Sequence, residues 1–343
     1  MWVSLKYLKG CFEVTHKDYS YISMVYFNSF LGYLLIILGC ILGALRVERI
    51  MLQWVCLEIN MLCIIPILLG GRTQDSIICG VKYFISQSAA SVRFLFSLLL
   101  IDLTNYLYYV TLASIIFKLG VPPFHRWIVG IIFNINLIEL FLVLTVQKFI
   151  PLLIISQLGI RENLLLGLIL ISASFIIINL NRNLSLQYIL FLSSVGNGMW
   201  MLAALIGRVW GLFLIMYSLI LVRAVTRMIT SKIVKLRDLA IRDNTKKFEV
   251  ALQFFNLGGV PPLIGFAVKL IVLKNLISLR LTTLIILVLI SVIILYIYLV
   301  MMYQVYTVSP TPVIFQSNIS NNKFLSLNVR ILLLFRAARW VIL

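Results

Sequence analysis

Charged side chains are scarce in this sequence. Only 12% of the 343 residues are Asp, Glu, Lys or Arg, whereas 62% are hydrophobic, and soluble domains carry roughly 25% charge. A water-soluble core cannot bury so large an apolar fraction, so a soluble globular protein is excluded. Alternation of apolar and polar residues with period two is also missing, which argues against a membrane β-barrel. The composition therefore predicts an all-α polytopic membrane protein.

Metal-ligand patterns are missing as well. The five cysteines stand singly, without a Cys-x-x-Cys pair, and there are only two histidines, so we expect neither a metal site nor a disulfide framework. Basic residues outnumber acidic ones by 29 to 11. They are scattered between apolar runs rather than gathered in a basic domain, so nucleic acid is not an expected partner. Charges that flank membrane helices account for the net charge of +18.

Long apolar runs divide the chain into about eleven candidate transmembrane helices, each close to the ~20 residues that cross a bilayer. The predicted spans are 26–45, 50–70, 77–101, 104–134 with a break, 137–158, 164–180, 186–206, 209–230, 249–274 with a break, 281–307 and 325–343. We divide the chain into an N-terminal extension (1–25), a transmembrane core (26–310), and a C-terminal loop with the last helix (311–343).

The polar segment 231–249 carries six basic residues and follows the eighth span. The positive-inside tendency places this segment and the N-terminus on the side of synthesis, which in a mitochondrion is the matrix. The odd number of spans then places the C-terminus on the intermembrane-space side. The first 25 residues contain Glu13 and Asp18 and lack an uninterrupted apolar centre, so we expect neither a secretory signal nor a transit peptide.

Two spans contain near-copies of one phrase, Leu-Gly-Val-Pro-Pro at 119–123 and Leu-Gly-Gly-Val-Pro-Pro at 257–262. Consecutive prolines remove backbone donors and clash with the preceding turn, so we predict that both helices break within the membrane. The residues of the breaks are Gly120, Pro122, Pro123, Gly258, Gly259, Pro261 and Pro262. The broken spans are the fourth and the ninth, which run in opposite directions, as in the inverted repeats of many transporters. Two unrelated proline kinks are the alternative.

Four ionisable residues lie inside apolar spans: Glu58, Lys118, Lys148 and Lys269. A charge at the middle of the membrane costs about 2.5–3.5 kcal/mol on the insertion scale, so each needs a partner or a hydrated path. Burial disfavours the charged forms of lysine and glutamate and brings both closer to exchanging protons near neutrality. We therefore hypothesise a proton relay. Snorkelling lysines and a structural salt bridge are the alternatives.

Two further residues have more than one interpretation. Lys82 begins its span and suits either a relay or an interfacial anchor. His125, two residues beyond Pro123, suits either proton transfer near neutral pH or a hydrogen bond at the helix break.

The residues also resemble a known family. Lys118-Leu-Gly-Val-Pro-Pro-Phe-His-Arg-Trp127 and Asn256-Leu-Gly-Gly-Val-Pro-Pro-Leu-x-Gly-Phe-x-x-Lys269 are similar to two specific phrases of the NADH dehydrogenase subunit 2 family, the antiporter-like membrane-arm subunits of respiratory complex I. Shorter likenesses lie around Glu58, Lys82, Lys148 and Trp200. The likeness extends from about residue 26 to 310.

The resemblance implies a core of two inverted five-helix units in which a Glu–Lys pair, a central lysine and a terminal lysine carry protons across the inner mitochondrial membrane. By matched position these are Glu58, Lys118, Lys148 and Lys269. It also implies a subunit of an enzyme, the proton-translocating NADH:ubiquinone oxidoreductase, without redox chemistry in this chain. FMN, iron–sulfur clusters and ubiquinone are expected elsewhere in the complex. The implied partners are other antiporter-like and small membrane-arm subunits, accessory subunits and membrane lipids.

The sequence departs from the family at several positions. Asn197 replaces the family's histidine as a possible relay or supporting residue, and an amide cannot titrate. Arg93, Arg223 and Arg227 lie in spans where the family is apolar or small. They are either paired in the assembly or the product of reading an organelle codon with the wrong genetic code. A free-standing Mrp-type cation/proton antiporter and a structural subunit that no longer pumps stay open as alternative functions.

Overall fold

The computed structural model describes residues 29–71, 73–101, 105–179, 185–231, 233, 235–261, 263–276 and 281–307. The N-terminal extension 1–25, Pro262 and the last predicted span, 325–343, lie outside the described residues. All regular elements in the described ranges are helices. Six of those helical segments are long and apolar enough to cross a membrane, so the chain is a helical membrane protein.

The α-helices are numbered in chain order. They are α1 (Ser29–Arg46), α2 (Ile50–Leu68), α3 (Gln74–Leu99), α4 (Asn105–Leu119), α5 (Arg126–Ile132), α6 (Leu137–Leu144), α7 (Phe149–Leu158), α8 (Glu162–Ile178), α9 (Leu186–Ile206), α10 (Trp210–Thr230), α11 (Leu236–Ile241), α12 (Asn244–Gly258), α13 (Ile264–Leu276) and α14 (Leu281–Thr307). Each of the ten predicted spans before residue 310 corresponds to one helix or to two consecutive helices.

Both proline phrases interrupt their helices. The first separates α4 from α5, and the second separates α12 from α13. The chain turns at Gly120 (φ 67°) and at Gly259 (φ 83°), a backbone region that side chains with a Cβ rarely adopt. Side chains replace part of the lost helical hydrogen bonding: Trp127 Nε1 donates to the carbonyl oxygen of Phe117 at 2.9 Å, and Asn256 Oδ1 accepts from the backbone N–H of Gly265 at 2.8 Å.

The predicted span 137–158 is confirmed in its bounds, but it contains a third interruption that the sequence analysis did not predict. α6 ends at Leu144, a 3-10 turn covers Val146–Lys148, and α7 begins at Phe149. Pro151 has no N–H for the carbonyl of residue 147, which lies four positions earlier, and its ring crowds that carbonyl. Thr145 Oγ1 donates to the carbonyl oxygen of Phe141 at 2.8 Å, a bond that bends helices.

The polar segment 231–249 is also more ordered than the prediction of a basic loop. It contains α11 and the first residues of α12. Asp238 Oδ2 accepts the backbone N–H of Lys235 at 2.8 Å and so satisfies a donor in front of α11. The loop is therefore restricted to short connections on either side of α11.

α9 lies at the centre of the bundle. All residues from Tyr188 to Ala204 are buried, and α9 packs against α8, α10, α13 and α14. The peripheral helices α1, α3 and α14 instead expose large apolar side chains, such as Leu35, Val92 and Leu289. This distribution is that of a membrane bundle, in which apolar outer faces meet lipid or neighbouring helices.

Candidate proton-relay site

A buried ion pair joins α2 to α4. Lys118 Nζ lies 3.0 Å from Glu58 Oε1, and the lysine side chain is 2% exposed while the glutamate side chain is 20% exposed. Lys118 occupies the last turn of α4, directly before the break. The family resemblance implies a Glu–Lys pair at these two positions, and in the structure the side chains are in direct contact. Such a pair can hold a proton on the lysine while it is closed and release it when it opens.

Lys148 lies in the 3-10 turn between α6 and α7 and is 4% exposed. Its Nζ donates to the carbonyl oxygen of Ser194, in the middle of α9, at 3.2 Å. The preceding residue, Gln147, donates from Nε2 to Asn60 Oδ1 of α2 at 3.3 Å. The interruption at Lys148 therefore touches both α9 and the helix that carries Glu58.

Lys269 lies on α13, after the second break, and is 6% exposed. Its Nζ donates to the carbonyl oxygen of Gly258, at the end of α12, and lies 5.7 Å from the centre of a ring of Trp200. A helix C-terminus and an aromatic face both stabilise a cation. The ammonium form of Lys269 is therefore stabilised by a carbonyl and a ring rather than by a carboxylate of the described residues.

Among the described residues of the site, Glu58 supplies the one carboxylate for three buried lysines, and it pairs with Lys118. Charging all three at once would leave two cations in low dielectric without a counter-ion, which costs several kcal/mol for each ion. Proton exchange between the groups is less costly than full ionisation. The arrangement can therefore support proton transfer in which the sites differ in charge at any one time.

The remaining predicted site residues lie apart from these contacts. Lys82 is exposed on α3, which suits an anchor or a contact with a neighbour. The ring of His125 packs 3.9 Å from that of Phe175, and within the described ranges no hydrogen bond or ion pair joins it to the four relay candidates. Asn197 is 4% exposed on α9, and its Nδ2 donates to the carbonyl oxygen of Ser193 at 3.0 Å.

Sequence reasoning missed two tyrosines. The side chains of Tyr217 on α10 and Tyr298 on α14 are buried. The former faces Ser194 of α9, and the latter faces Ser193. Their signal in the sequence is a polar aromatic residue within an apolar run, which is also common in structural roles.

The three arginines have different surroundings. The guanidinium of Arg93 lies 5.4 Å from the centre of the Phe117 ring, and Arg227 Nη1 lies 3.0 Å from Glu249 Oε2. Arg223 is exposed on α10.

No group of three or more His, Cys, Asp or Glu side chains among the residues that the structure describes has the geometry to hold a metal ion.

A family model described as "NADH:quinone oxidoreductase/Mrp antiporter, TM" matches residues 102–294, more than half of the chain. The chain is also 32% identical over 254 residues to NADH-ubiquinone oxidoreductase chain 2 of Xenopus laevis, an alignment that covers 68% of this chain and 73% of that protein. The chain belongs to the NADH:quinone oxidoreductase/Mrp antiporter family.

Two solved structures have a similar fold. A chain of respiratory complex I from Thermus thermophilus superimposes with a TM-score of 0.72 at 19% identity, covering 85% of this chain and 73% of that one. A chain of the Mrp complex from Dietzia sp. superimposes with a TM-score of 0.68 at 15% identity, covering 82% of this chain and 61% of that one. The family's fold thus extends over most of the described helices.

Proposed function

We propose that this chain is the proton-translocating antiporter-like core subunit of a respiratory NADH:ubiquinone oxidoreductase in the inner mitochondrial membrane. The observation that carries the proposal is the Glu58–Lys118 ion pair at a broken membrane helix. Two further buried lysines contact backbone carbonyls, Lys148 from the turn between α6 and α7 and Lys269 across the second break. The similarity to NADH-ubiquinone oxidoreductase chain 2 of Xenopus laevis supports this proposal.

Glu58, Lys118, Lys148 and Lys269 are the proposed relay. When the Glu58–Lys118 pair opens, the Lys118 ammonium loses its counter-ion and releases its proton more readily. Lys148 and Lys269 then pass the charge onward. Asn197 and the broken-helix residues support this path rather than titrate. The fold is proposed to contain about eleven transmembrane helices in two inverted five-helix units, with the paired breaks at α4/α5 and α12/α13 as corresponding positions.

The chain itself is proposed to carry out no redox chemistry. FMN, iron–sulfur clusters and ubiquinone would bind in other subunits, and redox energy would reach this chain through neighbouring membrane-arm subunits. The apolar outer faces of α1, α3 and α14 offer surface for such neighbours and for lipid. Exposed Arg93 and Lys82 on α3 are suited to meet acidic groups there.

The test is the ratio of protons pumped to electrons transferred in the assembled complex, reconstituted in vesicles. Lys148→Met is expected to lower the ratio, because it removes a buried ammonium while keeping an unbranched apolar side chain. Lys274→Met is the matched control, since Lys274 is an exposed lysine on α13 and should leave the ratio unchanged. An unchanged ratio in Lys148→Met would favour a structural subunit that no longer pumps.

A free-standing cation/proton antiporter is the second candidate, favoured by the superposition on a chain of the Mrp complex. A native gel separates the two. The proposed subunit migrates only within a large assembly with NADH dehydrogenase activity, whereas a free-standing antiporter is purified alone and exchanges sodium for protons in liposomes.

A further inference from the structure

Lys148 and Lys269 both contact α9, but at different levels. Lys148 donates to the carbonyl of Ser194, and Lys269 lies against Trp200. Six residues of helix separate these contacts, or about 9 Å along the axis. The two amines donate to different carbonyls, those of Ser194 and Gly258, rather than to each other, so a proton that passes between the lysines needs an intermediate group.

Asn197 lies between the two contacts on α9 but is unsuited to carry the proton. A carboxamide does not titrate near neutral pH. Its Nδ2 also donates to the carbonyl oxygen of Ser193 at 3.0 Å, which restricts its rotation. Another group must therefore complete the path.

A small cavity lies in this interval, between α9, α10, α12 and α13. Its lining includes Asn197, Tyr217, Asn256 and Gly265, and it has room for about one water molecule. Asn197, Tyr217 and Asn256 supply polar atoms in a lining that is otherwise mostly apolar, with Phe213, Ile220, Leu257 and Val268, so a water there would have polar partners. Gly265 precedes Lys269 by one turn of α13, so the cavity reaches the neighbourhood of that lysine.

Tyr217 lines the same cavity and faces Lys148's partner. Its side chain is buried, with 3% of the residue exposed. The hydroxyl faces the side chain of Ser194, a residue whose backbone carbonyl binds Lys148. A hydroxyl both donates and accepts hydrogen bonds, so it can interact with a water in the cavity that Tyr217 lines.

We propose that the Tyr217 hydroxyl, with a water in this cavity, conducts protons between Lys148 and Lys269. The inference rests on the proposed pumping function. The hydroxyl oxygen accepts a proton that leaves the Lys148 ammonium and passes its own proton to the water. The water gives a proton to the neutral amine of Lys269, so Lys148 ends neutral, Lys269 ends as a cation, and Tyr217 and the water are unchanged.

The test compares Tyr217→Phe with Tyr298→Phe in the assembled complex. Each removes one buried hydroxyl that faces a serine of α9, so the two variants lose comparable groups and both should assemble. Of the two, Tyr217 lines the cavity. We expect the proton-to-electron ratio of Tyr217→Phe to fall as far as that of Lys148→Met, and that of Tyr298→Phe to stay at the wild-type value.

A rescue variant separates conduction from a structural role. Asn197→His, added to Tyr217→Phe, places an imidazole at the same cavity and should restore most of the lost ratio, because imidazole both accepts and donates protons near neutral pH. Two results would overturn the role of Tyr217 while leaving the pumping proposal intact. One is failure of this rescue, and the other is an unchanged ratio in Tyr217→Phe when Lys148→Met is impaired. An unchanged ratio in Lys148→Met overturns the pumping proposal and this inference together.

Discussion

At the scale of single residues, each buried lysine has a different kind of partner. Lys118 faces a carboxylate, Lys148 a carbonyl in the middle of a helix, and Lys269 a carbonyl at a helix end together with an aromatic ring. A full counter-ion stabilises an ammonium more than a neutral carbonyl does. The ammonium form is therefore expected to be best stabilised at Lys118, which makes the opening of its ion pair the controlling event.

The Glu58–Lys118 ion pair predicts how substitution of its carboxylate changes the stability of the assembled complex. Glu58→Gln leaves Lys118 buried without its carboxylate, which costs about 3–5 kcal/mol in a fully buried pair and less here, because the Glu58 side chain is 20% exposed. We expect the chain to dissociate from the heated complex at a lower temperature. Glu249→Gln is the control, because its pair with Arg227 is about half exposed on both sides and is worth about 0–1 kcal/mol.

The double variant Glu58→Gln/Lys118→Met completes the cycle. Removing both partners leaves no unpaired charge, so the dissociation temperature should recover while proton pumping stays impaired. Additive losses of stability in the double variant would show that the two groups are not coupled.

The sequence allowed the four relay candidates to be named, because a charge within an apolar run is visible without a structure. The position and depth of these residues did not show that Glu58 pairs with Lys118, since sixty residues separate the partners; that pair was implied by the family resemblance alone. Tyr217 could not be chosen from the sequence either, because only the packing of four helices creates the cavity it lines.

At the scale of helices, relay residues lie where regular hydrogen bonding stops. Lys118 precedes a break, Lys148 lies in a 3-10 turn, and Lys269 reaches the end of α12 across a break. The end of α12 leaves the carbonyl of Gly258 free to bind Lys269, whereas Lys148 binds a carbonyl of the continuous helix α9. The paired prolines made two of these interruptions predictable. A lone proline marked the third, but Pro66 lies inside the continuous helix α2, so one proline does not decide the outcome.

The third interruption predicts the effect of Pro151→Ala. Alanine restores an N–H that can bond the carbonyl of residue 147, so α6 and α7 should straighten and draw Lys148 away from Ser194. We expect a lower proton-to-electron ratio although no ionisable group is removed. Pro66→Ala in α2 is the control and should pump normally. Normal pumping by Pro151→Ala would mean that the turn at Lys148 does not depend on this proline.

The second break predicts that Gly265 tolerates no side chain. A Cβ there would overlap the carbonyl oxygen of Asn256, and backbone cannot move aside as a flexible side chain does. Gly265→Ala should destabilise the fold by about 1–3 kcal/mol or more, seen as lower yield of assembled complex. Gly211→Ala on α10 is the control, because a Cβ added there would have open space within 4 Å among the described residues. Equal yields of the two variants would contradict the close approach.

At the scale of the whole molecule, the bundle combines a polar axis with an apolar exterior. Lys148 and Lys269 both touch the deeply buried α9, whereas only 17% of the residues of α1 are buried inside the bundle. The spans were predictable because length and hydropathy suffice to identify them. Their packing around α9 was not, since a helix that is apolar on all sides gives no sign of which face is inner.

The predicted orientation of the chain determines from which side of the membrane each loop is accessible. Lys246→Cys, at the exposed start of α12, should react with an impermeant thiol reagent only from the matrix side. Lys274→Cys, near the end of α13, should react only from the intermembrane-space side. Cys40, Cys63 and Cys79 are buried, so they add little background, and the unmodified chain measures it. Labelling of both cysteines from one side would contradict a membrane crossing by α12 and α13.

The central claim is a continuous proton path through the bundle. The most direct measurement is a map of the assembled complex, sharp enough to show ordered water, in resting and turning-over states. We predict water that links the Glu58–Lys118 pair to Lys148, and a water in the cavity between Tyr217 and Asn256 that leads to Lys269. A dry, apolar gap between these residues in every state would contradict the proposed path.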